Sequence, residues 1–425
     1  MNMKKIMISL ALIILSSVSW AQTLEECQQA AEKNYPLIKQ YGLITKTTQL
    51  TVKNIQKGWL PQVTASAQAT YQSAVTAWPE SMQSIYQQMG LNMKGLSKDQ
   101  YKIGIDLQQT IYDGGAISSQ RNIAQQEGKV QEAQTETNLY QVRRRVNEMY
   151  FSLLLLNEQI QLNEDVKALL LSSEKKLSAM VKGGTAATSD LDNVRAERLS
   201  VEQQNENLKQ QKQMLQRMLS VFCGLEVNNT QKPAPVQIVS SVNNRPEMRL
   251  YNSQLELTEA KEKALDIQLR PKLGLFAQGF YGYPGLNMFE DMMNRKWSLN
   301  GIVGIKLSWN VSAFYTHKND KARLSAQREI IENAREVFLF NNKLEEIQQN
   351  ENINRYQTMM KSDDEIIVLR TNVRKAAESK LTHGIIDVIS LLREINNENA
   401  AKTQQTIHEI DMLKEMYNLK YTNNE

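Results

Sequence analysis

One long pattern occurs twice in this chain, and that repeat limits what it can fold into. Asn34 to Tyr71 aligns without a gap on Asn244 to Tyr281. Asn34, Pro36, Tyr41, Thr48, Lys53, Pro61, Ala67, Gln68 and Tyr71 meet the same residue 210 positions later. A second stretch repeats at a spacing of 200, with Gly104, Ile105 and Leu107 over Gly304, Ile305 and Leu307. Solenoid and propeller repeats run to roughly 20–50 residues, so these are two tandem copies of one large unit, 22–230 and 231–425. Each reads helix, strand, strand, long helix, helix.

The strands alternate strictly. Tyr101, Ile103, Ile105, Leu107 and Ile111 hold odd positions, while Lys102, Gly104, Asp106, Gln108 and Thr110 hold even ones. In the second copy Val303, Ile305, Leu307, Trp309 and Val311 are opposed by Gly304, Lys306, Ser308 and Asn310. The earlier strands set Trp59, Val63, Ala65, Ala67 and Tyr71, then Leu269, Leu273, Leu275, Ala277 and Tyr281, against polar partners; Phe276 and Phe280 break the pattern. Period two over about ten residues with aromatics at the ends is what a strand between lipid and water requires. A half-buried soluble sheet also alternates. The small residues Ala65, Ala67 and Ala277 on the apolar face suit lipid better than a packed core. The residues expected to face lipid are Ile103, Ile105, Leu107, Val303, Ile305 and Leu307. A transmembrane sheet must close on itself, and roughly eight strands is the minimum. Four strands per chain therefore imply a shared barrel, and three chains would give twelve strands.

After Gly114-Gly115, residues 117–182 hold no proline and one glycine, Gly128. Val142, Val146, Met149, Leu153, Leu156 and Ile160 recur at helical, coiled-coil-like spacing. Such a helix is roughly 100 Å long. Its counterpart is expected at 317–382, and return helices at 186–220 and 386–419. The first copy has ten more residues between its strands (72–103 against 282–303). The longer loop, with Trp78-Pro79, is expected outside the cell, where barrel loops are longer.

Lys4 and Lys5, the apolar run Ile6–Val18 and Ser19-Trp20-Ala21 read as a cleaved signal peptide over 1–21. Glu26 beside Cys27 spoils a lipoprotein signal, so no lipidation is expected. Mean hydropathy is −0.48. The formal charge of +4 falls to about +2 without Lys4 and Lys5, which is no nucleic-acid signature. Cys27 and Cys223 are the only cysteines; both are expected reduced. His317, His383 and His408 are too scattered for a triad or metal site, and no glycine cluster forms a phosphate loop. No catalytic, cofactor-binding or metal site is expected. The 18 methionines form no cluster along the sequence.

Several motifs then line up in order. TLEECQQAAEKNYPLIKQ resembles the opening helix of the outer-membrane efflux protein family, the TolC-like channel-tunnels. GWLPQVTASAQATY and QLRPKLGLFAQGFY resemble its first strand, and LQQTIYDGGAISSQ its second strand and Gly-Gly turn. GGTAATSDLDNV and HGIIDVISLLRE resemble its two hairpin tips. The resemblance covers nearly the whole mature chain. It implies a mixed α and β membrane protein: a homotrimer closing a twelve-stranded β-barrel in the outer-membrane lipid, above an α-barrel of long hairpins in the periplasm. The implied role is a passive efflux or secretion duct. Its implied partners are a periplasmic adaptor and an inner-membrane pump of resistance-nodulation-division or ABC type. The alternative is a trimeric coiled-coil adhesin or other surface protein with a β anchor; paired strands in both halves speak against it. A periplasmic adaptor is disfavoured by the two hairpins.

The second copy has SAFYTHKN where the first has YDGGAISS, so its strand-to-helix turn must be built differently. At the tips, the resemblance makes Asp190, Asp387 and Ser390 candidates for a periplasmic aperture, and Gly183, Gly184 and Gly384 for adaptor docking. The residues themselves read more simply. Asp387 sits where an N-cap is wanted, and the glycines where a helix ends in a left-handed residue. The Tyr and Arg with which family members latch the inner hairpin are replaced by Leu381 and Ile386.

Overall fold

The computed structural model describes residues 22–91, 95–236 and 244–424, so the expected signal peptide lies outside the described residues. The chain folds as two compact units. One takes the chain up to Gly42, Glu132–Leu250, and Asn333 onward; the other takes Leu43–Gln131 and Tyr251–Glu332. Each sequence repeat contributes to both.

The elements are α1 Leu24–Asn34, α2 Ile38–Gln56, β1 Gln62–Tyr71, α3 Glu80–Gln88, β2 Asp99–Tyr112, α4 Ala116–Lys182 and α5 Thr188–Cys223. The second half gives α6 Pro246–Gln268, β3 Lys272–Tyr283, α7 Met288–Met293, β4 Ser298–Ser308, α8 Ala313–Thr382 and α9 Val388–Asn423. β1 and β3 begin 210 residues apart, and α5 and α9 are both 36 residues long and begin 200 apart. Four sequence boundaries shift. Trp59 lies in a 3-10 turn, Lys57–Trp59, that leads into β1. Leu269 and Arg270 precede β3, while Trp309 and Val311 follow β4. The expected helix 317–382 starts four residues early, because Asn310 and Val311 accept from Ala313 and Phe314 and open the first turn without glycine. The first copy's turn uses Gly114 and Gly115 at φ 71° and 98°. There the Asp113 carboxylate accepts from Gly115 and Ile117 N–H at 2.8 and 2.6 Å.

The helical unit has two apolar clusters. In one, α1 packs Leu24, Cys27 and Ala31 against Val146, Tyr150, Phe151 and Leu153 of α4, Leu219 and Cys223 of α5, and Ile410 and Tyr417 of α9. A capping box starts α1: Thr23 accepts from Glu26 N–H, and Glu26 accepts from Thr23 N–H. Both cysteines are buried free thiols, and the Cys223 thiol donates to the Cys27 carbonyl. The other cluster joins Leu170, Leu177, Leu191 and Val194 to Val388, Leu391 and Ile395. No helix among the described residues is long and apolar enough to cross a membrane.

Candidate membrane band and hairpin tips

The sheet runs β1-β2-β3-β4, with every neighbouring pair antiparallel. Its register sorts the side chains. Ala65 pairs with Ile105 and Ile105 with Gly279; Leu275 pairs with Ile305 and Ala277 with Val303. One face therefore collects Ile103, Ile105, Leu107, Val303, Ile305 and Leu307, with Val63, Ala65, Ala67 and Leu275. These side chains cover no core: Ile103 is 58 % exposed, Ile305 69 % and Val303 80 %.

The opposite face carries Gln62, Thr64, Lys102, Asp106, Gln278 and Lys306, and Gln278 hydrogen-bonds Asp106 across the strands. Phe276 and Phe280, which break the alternation, lie on this polar face. Their rings are used there. Phe276 packs over Gly304, so closely that a Cβ at Gly304 would meet the ring at 2.7 Å. Phe280 stands beside Gly104 and lies 4.1 Å below the Lys102 ammonium. The aromatics cover backbone that glycine leaves bare.

Aromatic residues mark both ends of the sheet. Tyr71, Tyr101, Tyr281 and Trp297 gather at one, where Trp297 packs on Tyr101 and Tyr281 at 6.0 and 5.3 Å. Trp59, Tyr112 and Trp309 gather at the other. There the Trp309 indole donates to the Leu269 carbonyl at 2.8 Å, and Gln109 donates to the Trp59 carbonyl. Beyond the first end the two strand-connecting loops pack on each other. Leu96, Tyr283 and Met292 are buried with Val75 and Trp78 against them. The Tyr283 hydroxyl accepts from Ser97 N–H at 3.0 Å and donates to the Asp291 carbonyl at 3.2 Å. Sequence reasoning misses this core, because Val75, Trp78 and Leu96 lie outside the strands and follow no period, and only Tyr283, the last residue of β3, belongs to the alternating pattern.

The tips belong to the helical unit and repeat each other closely. Gly184 N–H bonds the Val181 carbonyl and Thr185 N–H the Met180 carbonyl; Gly384 and Ile385 do the same to Leu381 and Lys380. The second bond of each tip is that of a Schellman ending. Gly184 and Gly384 stand at φ 71° and 68°, with open space for 4 Å around the point where a Cβ would stand. At Gly183 the left-handed reading does not hold: its φ is not positive, and just past Lys182 its N–H still bonds the Ala179 carbonyl, as His383 does to Ser379 past Thr382 in the second copy.

Each tip keeps half of a capping box. Asp387 is the N-cap of α9 and accepts from Ser390 N–H at 2.8 Å. In the first copy the carboxylate sits three residues later, and Asp190 reaches back to Ala187 N–H at 3.3 Å. Hydrogen bonds from Ser390 hold the Asp387 carboxyl below its ordinary value. Leu381 and Ile386 pack against the apolar cluster of the hairpins.

With that geometry established, the comparisons agree with it. The family described as outer membrane efflux protein matches residues 28–224, ending where Gly224 closes α5 in a left-handed cap. Solved structures of outer-membrane channels share the fold. The outer-membrane channel OprN is 13 % identical, covers 94 % of this chain and 89 % of its own, and has a TM-score of 0.68. The CmeC outer membrane channel of Campylobacter jejuni is 14 % identical, with 94 % and 85 % covered and a TM-score of 0.67. The open-state MtrE outer membrane channel of Neisseria gonorrhoeae is 11 % identical, with 94 % and 88 % covered and a TM-score of 0.64. A search of curated proteins gives no match. Residues 28–224 match the outer membrane efflux protein family, and nearly the whole chain shares the fold of these TolC-like outer-membrane channels.

Proposed function

We infer that three copies of this chain close a twelve-stranded barrel through an outer membrane and act as the passive exit duct of an efflux or secretion assembly. The observation that carries this reading is the sheet. One face is apolar and exposed, the other polar, aromatics ring both ends, and neither β1 nor β4 has an outer neighbour among the described residues. Lipid covers such a face at no cost, while an unpaired edge in lipid is expensive. Pairing β1 of one copy with β4 of the next removes every edge. Ile103, Ile105, Leu107, Val303, Ile305 and Leu307 then face lipid, and Lys102, Asp106 and Lys306 face water inside.

In this reading the hairpins line a periplasmic duct. Asp387, Ser390 and Asp190 are the candidates for its aperture, alongside the capping they perform. The reversals at Gly184 and Gly384, with Gly183 beside the first, are where a periplasmic adaptor docks and links the duct to an inner-membrane pump. The protein binds and passes cargo without reacting with it, in keeping with relatives that are channels.

The test is ionic conductance of the purified protein in planar bilayers, with and without Asp387→Asn. Discrete steps whose size or ion preference changes in the variant are expected. A protein that inserts yet passes no current in either form overturns the reading.

A further inference from the structure

Residues 200 apart occupy equivalent places in the two hairpins, and a contact made in both fixes the register. Asn205 of α5 donates to Glu164 of α4, and Gln405 of α9 donates to Asp364 of α8 at 2.6 Å. Against this matched frame, one set of charges is reversed. In the first hairpin, Glu174 of α4 accepts from Arg195 and Arg198 of α5, both at 2.9 Å, and Arg198 also binds Glu202 at 2.8 Å. In the second, Arg374 of α8 donates to Glu398 of α9, and Lys402 binds Glu398 at 2.9 Å. Glu174, Arg198 and Glu202 thus meet Arg374, Glu398 and Lys402, with the sign changed at all three positions.

The central pair of each network is largely withdrawn from water, while Glu202 and Lys402 at the rim are 31 % and 39 % exposed. The side chains of Glu174 and Arg198 are 16 % and 21 % exposed, those of Arg374 and Glu398 12 % and 6 %. Burial works against the charge on Glu398; hydrogen bonds from Lys402, Arg374 and Thr371 outweigh it and hold its carboxyl below the ordinary range. A half-buried charge facing its like is costly, since water no longer screens it well.

We propose that this reversal is a pairing code that makes each outgoing helix accept the return helix of its own repeat and reject that of the other. Tandem copies of one unit are prone to misassembly between copies. Here the apolar surfaces of both hairpins meet in one cluster, and hydrophobic contact does not tell α5 from α9. The charges do. If α4 took α9, Glu174 would face Glu398; if α8 took α5, Arg374 would face Arg198. Specificity comes from repulsion in the wrong pairing as much as from attraction in the right one.

The test transplants the second hairpin's residues into the first: K167I, E174R, R195I, R198E and E202K together, with Lys167 included because it pairs with Glu202 at 3.3 Å. Complementarity inside the first hairpin is kept, and only the difference between hairpins is erased. The full-length protein is refolded from denaturant into detergent, reading the yield of protease-resistant product and its melting temperature. The code predicts a severalfold loss of yield with the melting temperature of the folded fraction unchanged. Adding R374E, E378S, E398R and K402E, which restores opposite signs between the hairpins and removes the Glu378 that Arg374 otherwise pairs with at 2.7 Å, should restore yield. Unchanged yield in the transplant overturns the proposal. So does a yield that falls together with the melting temperature and is not rescued, which makes the networks local stabilisers only.

Discussion

Ile105→Arg separates a face covered by lipid from one bathed in water, and its effect can be sized from the sheet. Ile105 stands at the centre of β2 and is 57 % exposed, with the small residues Ala65 and Gly279 opposite it on the neighbouring strands. The replacement therefore breaks little packing within the chain. In water, a surface change of this kind stays within about 0.5 kcal/mol. At the midplane of a bilayer, arginine on the lipid face of a barrel costs roughly 2–4 kcal/mol. Three copies in one barrel raise this to about 6–12 kcal/mol per assembly on the same scale. Gln108→Arg, on the opposite face of the same strand, is the control and should cost little. The assay is urea unfolding of the protein folded into phospholipid vesicles, followed by tryptophan fluorescence and by the heat-dependent shift on gels. A large loss for Ile105→Arg with near-native Gln108→Arg is expected, and Ile305→Arg should repeat it from β4. Equal tolerance at Ile105 and Gln108 refutes the assignment of faces.

Other consequences follow from the helical unit. A bulky residue at Gly184 or Gly384 meets no neighbour but forces a left-handed backbone costing about 1–2 kcal/mol; membrane-inserted protein should persist while adaptor cross-linking and export fall, and normal cross-linking in both variants removes the tips from the mechanism. Phe151 is 1 % exposed and packs on Tyr417 at 5.7 Å, so Phe151→Ala should lower unfolding free energy by roughly 3–5 kcal/mol in denaturant titration. The depressed carboxyl of Glu398 stabilises the fold above its unfolded pKa of about 4.5 and less as pH falls through that value toward the folded one. The melting temperature should drop in that acid window, and less steeply in Glu398→Gln.

How much of this can be read from the sequence depends on whether a feature is periodic. The alternation through Ile103, Ile105 and Leu107 sets the register of β2, because one residue of slip would put Lys102 and Asp106 on the apolar face. The repeat offset places Gly184 over Gly384, and the backbone confirms both as left-handed. Trp59 extends the alternation and so reads as strand, yet Gly58 and the turn before Pro61 end the helix in a 3-10 step instead. Gly183 shares the signal of its neighbour without sharing its conformation. The charge reversal is visible at the repeat offset of 200, but nothing in the sequence shows that these groups pair or are buried. Along a helix, Glu174, Arg198, Arg374 and Glu398 look like an ordinary solvated face, and only the packing of each hairpin withdraws them from water.

The central claim is that this chain completes its barrel only with copies of itself. The native mass of protein extracted from membranes in mild detergent tests it most directly. The account predicts a complex with the mass of three mature chains that survives extraction and loses its subunits only when the sheet unfolds. A folded species with the mass of one chain, its strands still protected from protease, contradicts it.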